Sequence, residues 1–139
     1  MAISLASLQK NSPKAPRIII FGEAGTGKTT FGACAPAPVF LQTEDGLGNL
    51  DATAFPLAAS FDDVMGALQS LYTEPHEFKT LVVDSLDWLE PLVWQKVCQQ
   101  HNVPSIEALS YGKGYVEAQG VWRQFFDGIA TKNGALAFA

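Results

Sequence analysis

The chain has only two cysteines and two histidines in 139 residues. Cys34 and Cys98 stand 64 positions apart, which makes neither a disulfide framework nor a zinc site. No apolar run approaches the roughly 20 residues needed to span a bilayer. The first residues, MAISLASLQKNSPKAPR, lack the basic-then-apolar order of a secretory signal. These absences argue against secretion, membrane spanning and structural zinc, and leave the cytosol as the default compartment.

Basic side chains are scarce as well, nine against 14 acidic, for a net charge of −5. The deficit is uneven. Residues 1–30 hold four basic and one acidic side chain, +3; residues 31–90 hold Lys79 against ten acids, −9; residues 91–139 hold four against three, +1. An acidic middle opposes tight, nonspecific binding to nucleic acid, which draws its affinity from phosphate neutralisation. It leaves room for a local basic site near either end, and most of the acids read as a solvated face. The remaining composition, 47% hydrophobic and 11% aromatic, is that of one globular domain with a workable core.

Residues 1–16 read as an N-terminal lead-in, with polar, proline-bearing sequence from Gln9 onward. Residues 17–139 form the core. Ile18-Ile19-Ile20-Phe21 is a short β-rich run without polar alternation, the pattern of a strand buried on both faces. A helix is predicted from about Lys28 to Cys34, ended by Pro36 and Pro38. Val39–Gln42 is a second buried strand, with a further short one near Thr53–Phe55.

A helix starts at Ser60 with Asp63 as its capping-box acid. It places Phe61, Val64, Met65, Leu68, Leu71 and Tyr72 at the helical period. Phe78–Asp84 is a third strand. Leu86 to about His101 is helical, with Pro91 taken into the first turn. After a loop over Asn102–Gly114, a long helix carries Tyr115, Ala118, Trp122, Phe125, Phe126 and Ile129 on one stripe, capped by Asn133-Gly134. Ala135–Ala139 opens a fourth strand. Strands alternating with helices predict an α/β fold with a mainly parallel sheet, whose ligands bind at the carboxyl ends of strands.

The strongest signal is Gly22-Glu23-Ala24-Gly25-Thr26-Gly27-Lys28-Thr29, a full match to G-x-x-x-x-G-K-[ST] between a predicted strand and a predicted helix. Its glycines let the backbone turn its amides inward around an anion, and the following helix directs its positive end at the phosphates. Lys28 brings a point charge to the β- and γ-phosphates. The Thr29 hydroxyl suits Mg²⁺, and Thr30 is placed for the α-phosphate. Gly22 to Thr30 are therefore the candidate ATP-binding residues.

A second motif, Thr80-Leu81-Val82-Val83-Asp84, is an apolar strand ending in an acid. Asp84 is read as a metal-site residue next to Thr29, accepting from a water in the Mg²⁺ shell, against the alternative of a simple helix cap. Glu44, just past the second strand, is the candidate to activate water, with Asp45 and Glu23 as competing carboxylates. Asp87 reads as exposed or capping. Tyr111-Gly112-Lys113-Gly114-Tyr115 has two aromatics around a glycine-bracketed lysine. It reads either as a place where bases stack and a phosphate is met, or as a flexible turn into the helix. Trp88, Trp94 and Trp122 are assigned to core packing, His76 and His101 to the surface, and Cys34 and Cys98 to buried apolar positions.

The strings GEAGTGKTTFGACAPAPVFLQTEDGL, TLVVDSLDWLEPLVWQKVC and YGKGYVEAQGVWRQFFDGI resemble the phage-encoded RecA-like P-loop ATPases, the Sak-type single-strand annealing recombinases. The resemblance runs from about residue 14 to the end. It implies a RecA-like fold and an ATPase that uses ATP and Mg²⁺ in recombination on single-stranded DNA, in the cytoplasm of a bacterial host. It also implies a homo-oligomer and a single-strand-binding protein as partner. By position Lys28, Thr29 and Asp84 match the nucleotide and metal residues, and Glu44 the catalytic glutamate of a D-T-E-G pattern. Here that pattern reads Gln42-Thr43-Glu44-Asp45-Gly46, with glutamine for the aspartate and one extra residue before the glycine. RecA-like cores continue beyond a fourth strand, so the resemblance implies a core incomplete at its C-terminus. It also implies an exposed edge on the Ile18–Phe21 strand, covered by Ile3–Leu8 or a second subunit. The alternatives are a packaging, partitioning or loader ATPase, and a non-hydrolysing assembly module that keeps the loop.

Overall fold

Two parallel strands organise the chain. The computed structural model describes residues 3–130. Strands β1 (Pro38–Gln42) and β2 (Thr80–Asp84) pair in parallel, from Pro38 opposite Thr80 to Gln42 opposite Asp84. The side-chain period of two sorts them between two faces. Val39, Leu41, Leu81 and Val83 join one apolar cluster, whereas Phe40 and Val82 join another. Both faces are covered, as strands without polar alternation require. On the far edge of β1, the Phe40 amide donates to Thr53 O and the Phe55 amide to Phe40 O, each at 2.8 Å. This parallel bridge of Phe40 with Ala54 lies where a short strand was expected. The third predicted strand is shorter than Phe78–Asp84, beginning at Thr80.

The first cluster is closed by three helices: α2 (Phe61–Thr73), α3 (Leu86–His101) and α4 (Lys113–Ala130). The capping box at α2 forms as read. The Asp63 amide donates to Ser60 Oγ and the Ser60 amide to Asp63 Oδ2, both at 3.1 Å. The Tyr72 hydroxyl donates to Gly128 O, tying α2 to α4. Pro91 sits in the second turn of α3 rather than the first, where its missing N–H takes one bond from the helix. The loop before α4 carries two single 3₁₀ turns, Ile106–Ala108 and Ser110–Gly112. The buried stripe of α4 is Gly114, Ala118, Val121, Phe125 and Ile129. It runs through Val121 rather than Trp122 and leaves Tyr115 and Phe126 half exposed. Trp94 and Trp122 pack against this core, as expected.

The second face is thinner. It is covered by the short helix α1 (Lys28–Ala33), by Ile20, and by Leu47, Ala52 and Ala54. The predicted strand Ile18–Phe21 requires correction, because these residues pair with no strand among the described residues and Phe21 is 91% exposed. Apolar composition suffices to bring Ile20 onto Phe40 and Val82. A ladder needs a neighbour for its amides and carbonyls, and β2 makes no hydrogen bonds to this run among the described residues. Cys34, expected buried, is the exposed C-cap of α1, while Cys98 packs against the helical core. Residues 3–14 are exposed, with one 3₁₀ turn at Leu5–Ser7. The Asn133-Gly134 cap and the fourth strand at Ala135–Ala139 fall outside the described residues. No helix among those described is long and apolar enough to cross a membrane.

Candidate functional site

The carboxyl ends of β1 and β2 meet the loop Gly22–Thr29 at a cleft of about 580 Å³, within the size range of small-molecule sites. Gly22, Ala24, Gly25, Gly27, Lys28, Thr29 and Thr30 line it from one side. Glu44 and Gly46 line it from the tip of β1. Asp84, Ser85, Asp87 and Trp88 do so from the turn into α3, and Ile20 and Phe21 from the extended run. Three separate sequence motifs thus converge on one cleft. Glu23 and Thr26 belong to the loop but not to the cleft lining; Thr26 Oγ1 donates to Glu23 O at 2.9 Å and braces the turn.

The loop's shape follows from its glycines. Gly25 and Gly27 take φ values of 80° and 94°, a region that costs residues with a Cβ far more than glycine. Gly27 is also the N-cap of α1, so the left-handed turn delivers Lys28 and Thr29 directly onto the helix. Lys28 Nζ donates to Gly22 O at 2.7 Å and to Glu23 O at 2.8 Å. An ammonium has three donors, so two hold the loop around the side chain and one is left to meet an anion.

Thr29 Oγ1 donates to Asp84 Oδ2 at 2.7 Å, across 55 residues of sequence. What brings them together is the close packing of α1 on β2. Gly32 is buried against Val82, and a Cβ at Gly32 would lie 2.8 Å from Val82 Cγ1. The helix touches the strand at a point where no side chain fits, and its first turn therefore reaches the strand's last residue. A hydroxyl and a carboxylate are hard oxygen donors of the kind Mg²⁺ takes, its remaining positions being filled by water and phosphate oxygens. The pair fits that ion. Among the described residues, no group of three or more His, Cys, Asp and Glu side chains offers an all-protein metal cage.

Of the three carboxylates weighed as water activators, Glu44 lines the cleft and Asp45 and Glu23 do not. The two strand tips that carry Glu44 and Asp84 are joined beyond the last register pair. The Thr43 amide donates to Asp84 O at 2.9 Å, and the Thr43 hydroxyl bonds both backbone groups of Ser85. The Asp84–Ser85 peptide is cis.

Several residues here were not read as functional from the sequence. Trp88, assigned to the core, is 57% exposed and lines the cleft; its place in the first turn after Asp84 was the available signal. Asp87 is exposed, as expected, and shares that turn. Gly32 carried a signal too, since a glycine inside a helix often marks close packing. Thr43 stands in the D-T-E-G-like string, which was read for its glutamate alone.

Tyr111, Lys113 and Tyr115 lie away from the cleft, around the start of α4. Tyr111 is fully exposed at φ 55°, a backbone conformation uncommon for a bulky side chain. Tyr115 is engaged locally. Its hydroxyl donates to Glu107 Oε1 at 3.0 Å, and its ring meets Trp94 edge-on at 5.9 Å. A backbone hydrogen bond at Glu107, followed by the Tyr115 hydroxyl, holds the Glu107 carboxyl below its usual range. The same carboxylate, as hydrogen-bond acceptor, pushes the Tyr115 phenol up.

A family model described as an AAA domain matches residues 14–138. No curated protein and no solved structure matches the chain.

Proposed function

The chain belongs to the AAA-domain family, and on that premise we propose that it binds and hydrolyses ATP with Mg²⁺, as a phage-encoded RecA-like recombinase of Sak type. The observation that carries the ATPase reading is the 2.7 Å bond from Thr29 to Asp84, because it joins the phosphate loop to the acid of a second motif in one cleft.

Each residue has a role that its chemistry suits. Lys28 donates to phosphate oxygens at the cleft, and the loop amides around Gly25 and Gly27 take the anion. Thr29 and Asp84 would hold Mg²⁺, which would supply positive charge to offset that of the phosphates. Glu44 accepts the proton of the attacking water from the opposite tip. Thr30 serves the α-phosphate.

The DNA side of the proposal rests on the resemblance and on Tyr111, whose exposed ring stands two residues before Lys113 and offers a face for an unpaired base. A homo-oligomer along the strand, a single-strand-binding protein as partner and the cytoplasm of a bacterial host go with that reading.

Two measurements test it. Phosphate release should be Mg²⁺-dependent and should rise with single-stranded DNA. Glu44→Gln should keep ATP binding while lowering the rate by about 10²- to 10⁴-fold. In fluorescence anisotropy, a single-stranded oligonucleotide should bind more tightly than a duplex, and more so with ATP. Equal binding of both would favour a packaging, partitioning or loader role. ATP binding without any phosphate release would favour an assembly module.

A further inference from the structure

Thr43 is only 7% exposed and is one of three buried polar residues among those described. The main-chain ladder between the strands ends with its amide, which donates to Asp84 O at 2.9 Å. Beyond that rung its side chain takes over. Thr43 Oγ1 donates to Ser85 O at 2.5 Å and accepts from the Ser85 amide at 2.8 Å. A hydroxyl has one proton and two lone pairs, so a single oxygen makes both bonds at once. It thereby occupies the two polar groups of one backbone residue.

Ser85 does not hold itself. Its hydroxyl is buried without a partner and makes no cap bond to α3. The residue that follows Asp84 is therefore fixed through its backbone, by Leu89 N–H on Ser85 O at 3.1 Å and by Thr43. The sequence neighbours give this bond its consequence. Glu44 follows Thr43, Asp84 precedes Ser85, and both acids line the cleft.

We propose that Thr43 is a positioning residue of the ATPase site, its hydroxyl setting the spacing between Glu44 on the water side and Asp84 on the metal side. The inference rests on the ATPase reading above. Valine at this position has nearly the shape of threonine but leaves the Ser85 amide buried without its partner. A buried unpaired donor is costly enough to move the peptide toward another acceptor. A displacement of about 1 Å at reacting groups lowers a rate by up to about 10²-fold.

The test compares Thr43→Val and Thr43→Ser with the wild-type chain in phosphate release and in ATP binding with and without Mg²⁺. Thr43→Val should bind ATP without Mg²⁺ as the wild type does, because Lys28 and the loop are untouched. Its kcat should fall by about tenfold to a hundredfold, with KM changed much less, and its rate should saturate at higher Mg²⁺. Thr43→Ser keeps the hydroxyl and should restore kcat. If Thr43→Val gives no cooperative melt, Thr43→Ala replaces it, since it removes the hydroxyl without setting a methyl against the peptide.

A wild-type kcat in Thr43→Val would overturn the inference alone, as would an equal loss in Thr43→Ser. Should the wild type bind ATP but release no phosphate, the hydrolytic reading fails instead. The positioning claim is then decided by the gain in ATP affinity on adding Mg²⁺, which Thr43→Val must lose and Thr43→Ser must keep. A wild-type chain that binds no nucleotide overturns both.

Discussion

The two faces of the β1–β2 sheet are built to different ends. The face carrying Val39, Leu41, Leu81 and Val83 lies under α2, α3 and α4, in a cluster that includes Phe61, Leu89 and Phe125. The face carrying Phe40 and Val82 meets a six-residue helix, a glycine-rich loop and an extended run. Apolar burial at about 25 cal/mol per Å² makes the first face the main source of stability. The second leaves Phe21 exposed and gathers Lys28, Thr29, Asp84 and Glu44 at its edge, beside the exposed Trp88 of α3. Packing and chemistry are thus divided across one sheet, as expected where a rigid scaffold presents a functional loop.

Substitutions on either face should separate these roles. Phe125→Ala empties a fully buried position of the helical core and should cost about 3–5 kcal/mol in denaturant unfolding. That is a large part of a domain's usual 5–15 kcal/mol. A loss under about 1 kcal/mol would mean that the helical face is not the stabilising one. Gly32→Ala works on the other side, where its methyl collides with the buried Val82. Overpacking of this kind costs about 1–3 kcal/mol, against roughly 1 kcal/mol gained in helix propensity. Its net cost in unfolding should be about 0–2 kcal/mol, below that of Phe125→Ala, while its effect on Mg²⁺-dependent nucleotide binding should be large, because α1 must lift Thr29 away from Asp84. Unchanged binding would show that the close packing does not place Thr29.

The smallest effect lies away from both faces, at Glu107. Its carboxyl titrates lower in the folded chain than in the unfolded one, so its stabilising contribution is present above the unfolded carboxylate pKa. It is lost as pH falls through the lowered folded value. Glu107→Gln should therefore lower stability slightly at neutral pH, flatten the rise out of the acid limb, and leave low pH, where Glu107 is protonated, nearly unchanged. A change as large at acid pH as at neutral pH would contradict that assignment.

Much of this division was legible in the sequence because it is written locally. The phosphate loop is one contiguous string, the capping box of α2 spans four residues, and the two paired strands are apolar runs with no alternation. That Asp84 stands next to Thr29 was legible from two motifs whose spacing and context fit together, although the direct bond between them was not. What escaped was set by distant partners. Ile18–Phe21 has the composition of a strand, yet pairing depends on a neighbour that its own residues do not encode. Trp88 and Trp94 are alike in sequence context, but α3 turns one toward the cleft and the other toward Tyr115. The α4 stripe shifted by one position, from Trp122 to Val121, because several apolar residues on that helix fit more than one face. The Thr43 clamp joins positions 42 residues apart, and the D-T-E-G-like string that contains Thr43 was read for its glutamate alone.

Calorimetric titration of the wild-type chain and Lys28→Ala with Mg²⁺–ATP tests the central claim most directly. The account predicts one saturable site in the wild type, no measurable heat of binding in Lys28→Ala, and matching thermal melts for the two proteins without nucleotide. Equal affinity in both would contradict it.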